Sequence, residues 1–330
     1  MDVSVIVCTR NRAGYLPVLL QSLEALEIPS GLSWEVLVVD NGSADGTRRI
    51  VEEWEPRLPL RYLFEGRIGK SHALNTGIAA AKGEVLAFTD DDAWVDRKWL
   101  AALWTASRRE GFFFGGGPVV PVWKCQPPRW LAVDGPFRIP VPIIARSEPR
   151  KERSVPFTPC GANLFLHRET AIRNGPFRTD LGPGASGASE DTEFCVRLER
   201  KGMRPVFVPE AKVYHPVESF RLGRDALIRW RFACGRSEMR WRGVAPGTVC
   251  ILGVPRYLFR RLAESLALWW VSLDPQKRFY YRCRWAYTLG EIVERFGRHR
   301  PGEGTLAGTR TGGSVTGPFP QPKGEGRGKC

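Results

Sequence analysis

The stretch Val85-Leu86-Ala87-Phe88-Thr89-Asp90-Asp91-Asp92 decides how this 330-residue chain is organised. Its first four residues are apolar and indicate a short buried strand, and three consecutive aspartates follow. Burying three unpaired like charges is costly, and the usual remedy is a divalent cation with oxygen ligands, often holding a phosphate as well. Asp90 and Asp92 could point one way and Asp91 the other, because alternate residues of an extended chain share a face. The alternative is an acidic turn that caps the helix beginning near Trp99.

Strands and helices alternate along the first part of the chain. The sequence predicts strands at 3–8, 34–40, 60–64 and 85–88, and helices at 15–26, 47–54 and 71–81. This alternation is typical of an α/β fold with a parallel sheet, and such sheets bind ligands outside the carboxyl ends of their strands. The segments 9–12, 40–47 and 90–92 all lie at those ends, which suits a nucleotide.

Six segments, in their order along the chain, resemble glycosyltransferase family 2. They are TRNR (9–12), DNGSADGT (40–47), GKSHALNTG (69–77), FTDDDA (88–93), CGANLFLHRE (160–169) and SEDTEFCVRL (189–198). The resemblance covers about residues 2–220. It implies a GT-A fold, which is a Rossmann-like, mostly parallel sheet flanked by helices. It also implies a nucleotide-sugar donor, a divalent metal and inversion at the anomeric carbon.

The resemblance implies a donor pocket at the first two strand ends. Thr9, Asn11 and Arg12 match the segment that lines the base and ribose pocket, and Asp40 matches the acid that reads the base edge. Asn41 stands where the family usually has a second acid, and a UDP-sugar is the expected donor. Taken without the family, these residues could simply end a strand or cap a turn.

The resemblance also implies a metal site for Mn²⁺ or Mg²⁺. Asp92 matches the metal-ligand end of the DXD motif, and Asp90 matches the end expected to contact the sugar or ribose. His215 matches a position that can add a metal ligand; without the family it would be interpreted as a structural histidine. Lys70, at a helix start, is expected to bind the anionic donor, with a solvated helix end as the alternative.

The acceptor side is assigned to the second half of the matched region. Asp191 matches the general base of the family's Glu-Asp motif, and Glu190 beside it is expected to contact the acceptor. Acids at this position also suit the dipole of the helix predicted at 192–201. Trp123 lies in a proline-rich and aromatic stretch, 112–160, where it could stack on a sugar or pack on the sheet. The glycine-rich segment 182–187 is expected to be a mobile loop on the same side.

Charge divides the chain unevenly. The formal net charge is +14, and residues 221–300 carry 17 Lys+Arg against 6 Asp+Glu, whereas residues 1–220 carry 28 against 27. The resemblance implies a catalytic domain at 1–220, with a nucleotide-binding half (1–111) and an acceptor-binding half (112–220). A basic amphipathic helical region is expected at 221–300, with helices near 256–272 and 277–296. The tail, 301–330, is expected to be disordered because 13 of its 30 residues are Gly or Pro.

The basic region interleaves arginines with aromatic residues, which suits an anionic membrane surface and would also suit RNA. Helices that only pack on the catalytic domain are the structural alternative. The eight cysteines are spread singly, and no stretch approaches about 18 apolar residues. We expect a cytoplasmic protein with free thiols, peripheral at the inner face of the membrane. Its expected acceptor is a saccharide or lipid-linked sugar, and no nucleic-acid partner is expected.

Two other functions remain open from the residues alone. A nucleotidyltransferase also uses carboxylates and a metal, but it would be expected to show an early glycine-rich phosphate loop, which residues 8–20 lack. The other is a basic RNA- or membrane-binding protein with a catalytically inactive α/β domain. An inactive domain would have no need to keep Asp90, Asp92 and Asp191.

Overall fold

The structure is a computed structural model that describes residues 1–139 and 157–298. It divides into two compact units, which we call unit 1 (Met1–Glu218) and unit 2 (from Ser219 onward). The predicted disordered tail and part of the predicted acceptor stretch lie outside the described residues. Across the described ranges, none of the helices is both long enough and apolar enough to cross a bilayer.

Unit 1 is a mixed α/β unit, as the alternating pattern predicts. Its strands are β1 (Val3–Thr9), β2 (Trp34–Asp40), β3 (Leu60–Phe64), β4 (Val85–Asp90), β5 (Trp94–Val95), β6 (Phe114–Gly116), β7 (Val119–Trp123), β8 (Leu164–His167), β9 (Pro205–Phe207) and β10 (Val213–Val217). Its helices are α1 (Leu16–Glu24), α2 (Thr47–Trp54), α3 (Lys70–Ala80), α4 (Trp99–Ser107), α5 (Arg168–Asn174) and α6 (Glu190–Arg200). The predicted strands and helices of residues 1–90 are all present, with ends shifted by at most two residues.

The main sheet of unit 1 is parallel where the expected ligand site lies. Its seven strands are ordered β3-β2-β1-β4-β8-β6-β9, and the first four run parallel. β8 is antiparallel to both β4 and β6. In the parallel part Thr9 pairs with Asp40, and Cys8 pairs with Asp90. The carboxyl ends of β1, β2 and β4 therefore meet at one edge, as predicted.

The sheet is buried on both faces, which explains why its central strands are almost wholly apolar. Val5 and Val7 of β1 pack on one face with residues of α1, α2 and α4. Ile6 of β1 and Leu37 of β2 pack on the other face with residues of α3, α5 and α6. Polar side chains are consequently directed to the strand ends, where the sheet stops.

A second sheet, ordered β5-β10-β7, holds the strand that carries His215. The buried side chain of Asn163 links the segments that lead into two strands of this sheet. Asn163 Nδ2 donates to the carbonyls of Pro118 (3.1 Å) and Ala211 (2.7 Å), and its Oδ1 accepts from Trp99 Nε1 (3.0 Å). Because Pro118 precedes β7 and Ala211 precedes β10, one amide fixes the starts of both strands.

Unit 2 is helical in its described part. It contains α7 (Arg224–Arg242), α8 (Arg256–Val271) and α9 (Pro275–Arg298), with a small hairpin of β11 (Cys250–Ile251) and β12 (Val254–Pro255). The predicted helices near 256–272 and 277–296 are present as α8 and α9. α7 and α9 cross in close contact because two glycines face the opposite backbone. A Cβ on Gly235 would lie 1.9 Å from the Tyr287 carbonyl oxygen, and one on Gly290 would lie 2.2 Å from that of Phe232.

Much of the basic charge of unit 2 is paired within the unit. Arg236 and Arg240 both bind the Glu294 carboxylate, with Nε–O distances of 3.1 and 2.6 Å. Arg261 pairs with Glu291. The acidic residues of unit 2 thus form ion pairs between its helices. The excess of arginine leaves the unit with a net positive charge.

Candidate active site

The three aspartates at the end of β4 are each matched by a cationic side chain. Asp90 is the last residue of β4, and its Oδ1 lies 2.7 Å from Lys70 Nζ. Burial is the largest influence on the pKa of Asp90 and would raise it, but the charge and the hydrogen bond of Lys70, together with the charge of His215, lower it overall. Burial alone would lower the pKa of Lys70, but the charges of Asp90 and Glu190 raise it well above its usual value. Both groups therefore stay charged at neutral pH.

Arg12 binds the other two aspartates with one planar fork. Its Nη1 lies 2.6 Å from Asp91 Oδ1, and its Nη2 lies 2.6 Å from Asp92 Oδ2. Both aspartates are buried. Burial raises the pKa of Asp91 to about 6, and the Arg12 charge opposes that rise. The structure places the Arg12 guanidinium on these two aspartates, and its contact with the donor nucleoside stays a prediction.

His215 completes a cluster with Asp90 and Asp92. One ligand atom from each of these three residues can be chosen so that all lie within 4.8 Å of one another. His215 Nε2 is 3.1 Å from Asp92 Oδ1, while Nδ1 is 3.2 Å from the Pro216 carbonyl oxygen. When Nδ1–H donates to Pro216, Nε2 carries the lone pair that binds metals. The structure thus brings Asp92 and His215, which the resemblance assigned to the metal, together with Asp90, which it assigned to the sugar or ribose.

These residues fit a divalent cation by their chemistry and spacing. Two carboxylates and one imidazole form a mixed oxygen and nitrogen set, which suits Mn²⁺ better than Mg²⁺. Two ligands that lie about 2.1 Å from one ion, at right angles, are about 3 Å apart. The 3.1 Å between His215 Nε2 and Asp92 Oδ1 matches that separation.

The first two strand ends are joined by hydrogen bonds. The Asn11 N–H donates to Ser43 Oγ (2.9 Å), and Asn11 Oδ1 accepts from the Ala44 N–H (2.7 Å). Asn11 has a φ of +52°, a conformation that asparagine tolerates better than most residues. Thr9 is buried beside them. The segments 9–12 and 40–47 therefore form one continuous wall.

Asp40 is buried in this wall and is held at both oxygens. Oδ1 accepts from the Ser43 N–H and Oδ2 from the Tyr62 hydroxyl, each at 2.8 Å. Burial and the bond to Asp40 raise the pKa of Tyr62 to about 12. Asn41 holds the next loop: its Nδ2 donates to the Arg67 carbonyl (2.7 Å). Each Asp40 oxygen retains a second lone pair, and its contact with a base stays a prediction.

Lys70 links the aspartate cluster to the start of α6. Its Nζ lies 3.7 Å from Glu190 Oε1, in addition to its bond with Asp90. Glu190 is only 6% exposed, and burial raises its pKa to about 7, with Lys70 opposing the rise. Gly182 makes room for it, since a Cβ there would lie 2.9 Å from Glu190 Oε2. Glu190 therefore lies below the surface, and its contact with an acceptor stays a prediction.

The glycine-rich loop predicted to be mobile is hydrogen-bonded to its surroundings. The Gly182 N–H donates to the Ala188 carbonyl (3.1 Å), and the Gly187 N–H donates back to the Gly182 carbonyl (2.8 Å). The Pro183 carbonyl accepts from the Lys70 N–H at 3.0 Å. This bond uses the first N–H of α3, and the Lys70 side chain at that helix start contacts the carboxylates of Asp90 and Glu190.

Asp191 is half-buried and is held by two backbone donors. Its Oδ2 accepts from the Gly161 N–H and its Oδ1 from the Thr192 N–H, each at 2.7 Å. The preceding residue, Ser189, has a φ of +71° and turns the chain into α6. Asp191 thus has a fixed position and an accessible edge, which a proton acceptor needs. Its role as the base stays a prediction.

Trp123 ends β7 and is half-buried, with Val217 of β10 as its neighbour across the sheet. Its role as an acceptor contact stays a prediction. Two partners that bear on the site could not be found from the sequence, namely the Arg12 fork on Asp91 and Asp92 and the Tyr62 hydroxyl on Asp40. Neither pair leaves a local pattern, because its members are separated by 22 to 80 residues.

Most of this chain is similar in sequence to known proteins. The chain matches the family described as Glycosyl transferase family 2 over residues 4–165, and Glycosyl transferase family group 2 over residues 143–290. It is 32% identical over 242 residues to the succinoglycan biosynthesis protein ExoM of Rhizobium meliloti (strain 1021), which covers 73% of this chain and 75% of that protein. It is 27% identical over 243 residues to glycosyltransferase AglE of Haloferax volcanii, covering 72% and 73% of the two chains.

Solved structures share the fold. The mannosyltransferase PcManGT from Pyrobaculum calidifontis, in complex with GDP-Man and Mn²⁺, superposes with a TM-score of 0.60 at 21% identity, covering 91% of this chain and 88% of that one. Staphylococcus aureus TarS 1–349 in complex with UDP-GlcNAc gives 0.51 at 17% identity, covering 90% and 92%. From the sequence match, the fold and the site together, this chain is a glycosyltransferase with the GT-A fold and belongs to glycosyltransferase family 2.

Proposed function

We propose that this glycosyltransferase is metal-dependent and inverting, and that it moves a sugar from a nucleoside-diphosphate sugar to an acceptor hydroxyl. The observation that carries the proposal is the convergence of Asp90, Asp92 and His215, whose ligand atoms lie within 4.8 Å. This cluster stands at the carboxyl edge of the parallel strands, where α/β sheets bind nucleotides. We propose that its products belong to cell-surface polysaccharide or glycolipid synthesis; the relative ExoM is named a succinoglycan biosynthesis protein.

On the donor side, Asp92 and His215 would hold Mn²⁺ or Mg²⁺, with Asp90 beside them. A bound divalent cation neutralises the charge that develops on the leaving diphosphate. The wall built by Thr9, Asn11 and Asp40 would bind the nucleoside. We propose a UDP-sugar first and a GDP-sugar second, since Asn41 departs from the family pattern and structural neighbours were solved with either nucleotide.

On the acceptor side, Asp191 would accept the proton of the attacking hydroxyl, while Glu190 and Trp123 would line the acceptor. Asp191 is favoured over Glu190 as the base because it is half-buried, whereas Glu190 is shielded by Gly182 and directed towards Lys70. Attack from the face opposite the diphosphate inverts the anomeric carbon. A single displacement of this kind needs one base and no enzyme nucleophile.

Release of nucleoside diphosphate from a panel of UDP- and GDP-sugars tests this function. We expect release with at least one donor in the presence of Mn²⁺, and its loss on adding EDTA, because the leaving diphosphate requires charge neutralisation. Restoring excess Mn²⁺ should restore the rate and serves as the control. Unchanged release in EDTA would contradict the metal dependence, and intact donors with pyrophosphate exchange would favour a nucleotidyltransferase.

We also propose that unit 2 holds the enzyme at the anionic inner face of a membrane, near a saccharide or lipid-linked acceptor. The support is the net charge of residues 221–300, 17 basic against 6 acidic. Each basic residue near an anionic surface contributes on the order of 1 kcal/mol.

Binding to anionic vesicles is expected to weaken when NaCl rises from about 0.1 to about 0.5 M, because the screening length shortens from about 10 Å to a few ångströms. Co-sedimentation at both salt concentrations measures this, with neutral vesicles as the control. Equal binding to neutral and anionic vesicles would contradict the proposal, and displacement by an RNA oligonucleotide at matched charge would favour nucleic acid as the partner.

A further inference from the structure

The end of α8 and the turn that follows it expose a continuous apolar surface. We call residues 266–273 the α8 tip. Its side chains include Leu266 (45% exposed), Trp270 (75%), Val271 (67%) and Leu273 (96%). Large apolar side chains with this exposure in adjacent turns mark an interaction site more often than an ordinary surface.

The packing of α8 within unit 2 does not account for the tip. The helix meets α9 and the hairpin through its buried side, which includes Leu258 and Ser265. The solvent side of its first half is charged, with Arg256, Arg260 and Glu264, as expected for a surface helix. From Leu266 onward the solvent side is apolar instead. The helix thus changes character at one end while its buried face stays the same.

Ser272, the polar residue of the tip, is hydrogen-bonded within the helix. The Ser272 N–H donates to the Leu268 carbonyl (3.1 Å), and the Ser272 hydroxyl donates to the same oxygen. The first turn of α9 is capped by Asp274, whose Oδ1 accepts from the Lys277 N–H (2.8 Å) and whose carbonyl accepts from the Arg278 N–H (2.9 Å). A hydroxyl that is hydrogen-bonded within the helix costs less to withdraw from water than an unbonded one.

Positive charge borders the tip. Lys277 and Arg278 are exposed one turn beyond it, and the Arg278 guanidinium lies 5.9 Å from the centre of the Trp269 ring. Two acidic side chains of this region have partners of their own: Glu264 Oε1 lies 3.3 Å from Arg260 Nε, and Asp274 caps α9. Tryptophan beside an aliphatic patch and a basic rim is the composition of segments that lie in the interface of anionic bilayers.

We propose that the α8 tip inserts into the interfacial layer of an anionic phospholipid bilayer, with Lys277 and Arg278 at the level of the headgroup phosphates. This inference rests on the peripheral association proposed above and deepens it, because it replaces attraction by charge alone with shallow insertion of named side chains. The tip then sets where unit 2 meets the lipid.

Co-sedimentation of the full chain with vesicles tests the tip directly. The test variant is Trp270→Ser with Leu273→Ser, and the control is Ile172→Ser, an apolar side chain with 62% exposure in unit 1. We expect the double variant to bind vesicles of phosphatidylglycerol and phosphatidylcholine at least about tenfold more weakly, since each large apolar side chain withdrawn from water contributes about that factor. The control should bind as the wild type does.

Salt separates insertion from attraction by charge. At about 0.5 M NaCl, where charges are screened, the wild type should keep measurable vesicle binding and the double variant should lose it. All three proteins should melt at similar temperatures, because the substituted side chains are exposed.

Three outcomes would overturn the inference. If the wild type and the double variant bound vesicles equally, and both lost that binding at high salt, attraction by charge would explain the association and insertion of the tip would be excluded. Failure of the wild type to bind either anionic or neutral vesicles would contradict both the membrane association of unit 2 and the insertion of the tip. The wild type could instead form a dimer that the two substitutions disrupt, with vesicle binding unchanged. That result would show that the tip contacts a second copy of the chain.

Discussion

The substitution Asp191→Asn is expected to lower turnover by about 10²–10⁴-fold, the range for loss of a general base, while donor affinity stays nearly unchanged. Asparagine keeps the size of the side chain but cannot take the proton of the acceptor hydroxyl at neutral pH. The donor is expected to contact the strand ends of β1, β2 and β4, so its binding should not depend on this carboxylate.

The environment of Asp191 also predicts a small structural cost. Its two oxygens accept the N–H groups of Gly161 and Thr192, and an asparagine can accept only one of these bonds. A loss of stability on the order of 1 kcal/mol is therefore expected, which leaves the protein folded.

Initial rates with the acceptor, beside a calorimetric titration of nucleoside diphosphate, measure the two effects. The matched control is Asp225→Asn, an exposed aspartate at the start of α7 in unit 2. Near-normal turnover in Asp191→Asn would remove Asp191 from the role. Glu190, with its pKa raised to about 7, would then be the next candidate.

The substitution Asp92→Asn is expected to reduce both transfer and metal-dependent donor binding. Asp92 lies 3.1 Å from His215 Nε2 and 2.6 Å from Arg12 Nη2, so its carboxylate is common to the proposed cation site and the Arg12 fork. Charge neutralisation by a metal contributes several kcal/mol to transition-state stability, and each 1.36 kcal/mol is tenfold in rate. A decrease in transfer of about two to four orders of magnitude follows.

Asp92→Asn should remain folded, which thermal unfolding followed by circular dichroism can show. Removing one of three adjacent negative charges relieves repulsion, and Arg12 keeps its 2.6 Å contact with Asp91. The Asp225→Asn variant again serves as the control. An Asp92→Asn enzyme whose nucleotide affinity remains normal and responsive to Mn²⁺ would show that the cation binds elsewhere.

The fold of unit 1 could be predicted because its pattern is local. The strand at 60–64 and the helix at 47–54 stand where the alternation of apolar and polar residues places them. Helix α7 was not predicted, since arginine and tryptophan interleave along Arg224–Arg242 and blur the apolar periodicity. Its burial depends on contact with α9, about 50 residues further along the chain.

The candidate site was predictable only in part, for the same reason. The cluster of aspartates at 90–92 is visible in the sequence, but His215 lies more than 120 residues away on β10, and only the resemblance to a family assigned it to the metal. The fork of Arg12 could not be inferred, because side-chain pairing across strand ends depends on the register of the sheet.

We infer that Asp92 and His215, with Asp90 beside them, hold the cation through which the donor diphosphate binds. Its most direct test is calorimetric titration of UDP and GDP into wild type, Asp92→Asn and Asp191→Asn, each with Mn²⁺ and with EDTA. We expect Mn²⁺-dependent binding in wild type and in Asp191→Asn, and its loss in Asp92→Asn. Wild-type affinity that is the same in EDTA as in Mn²⁺ would contradict it.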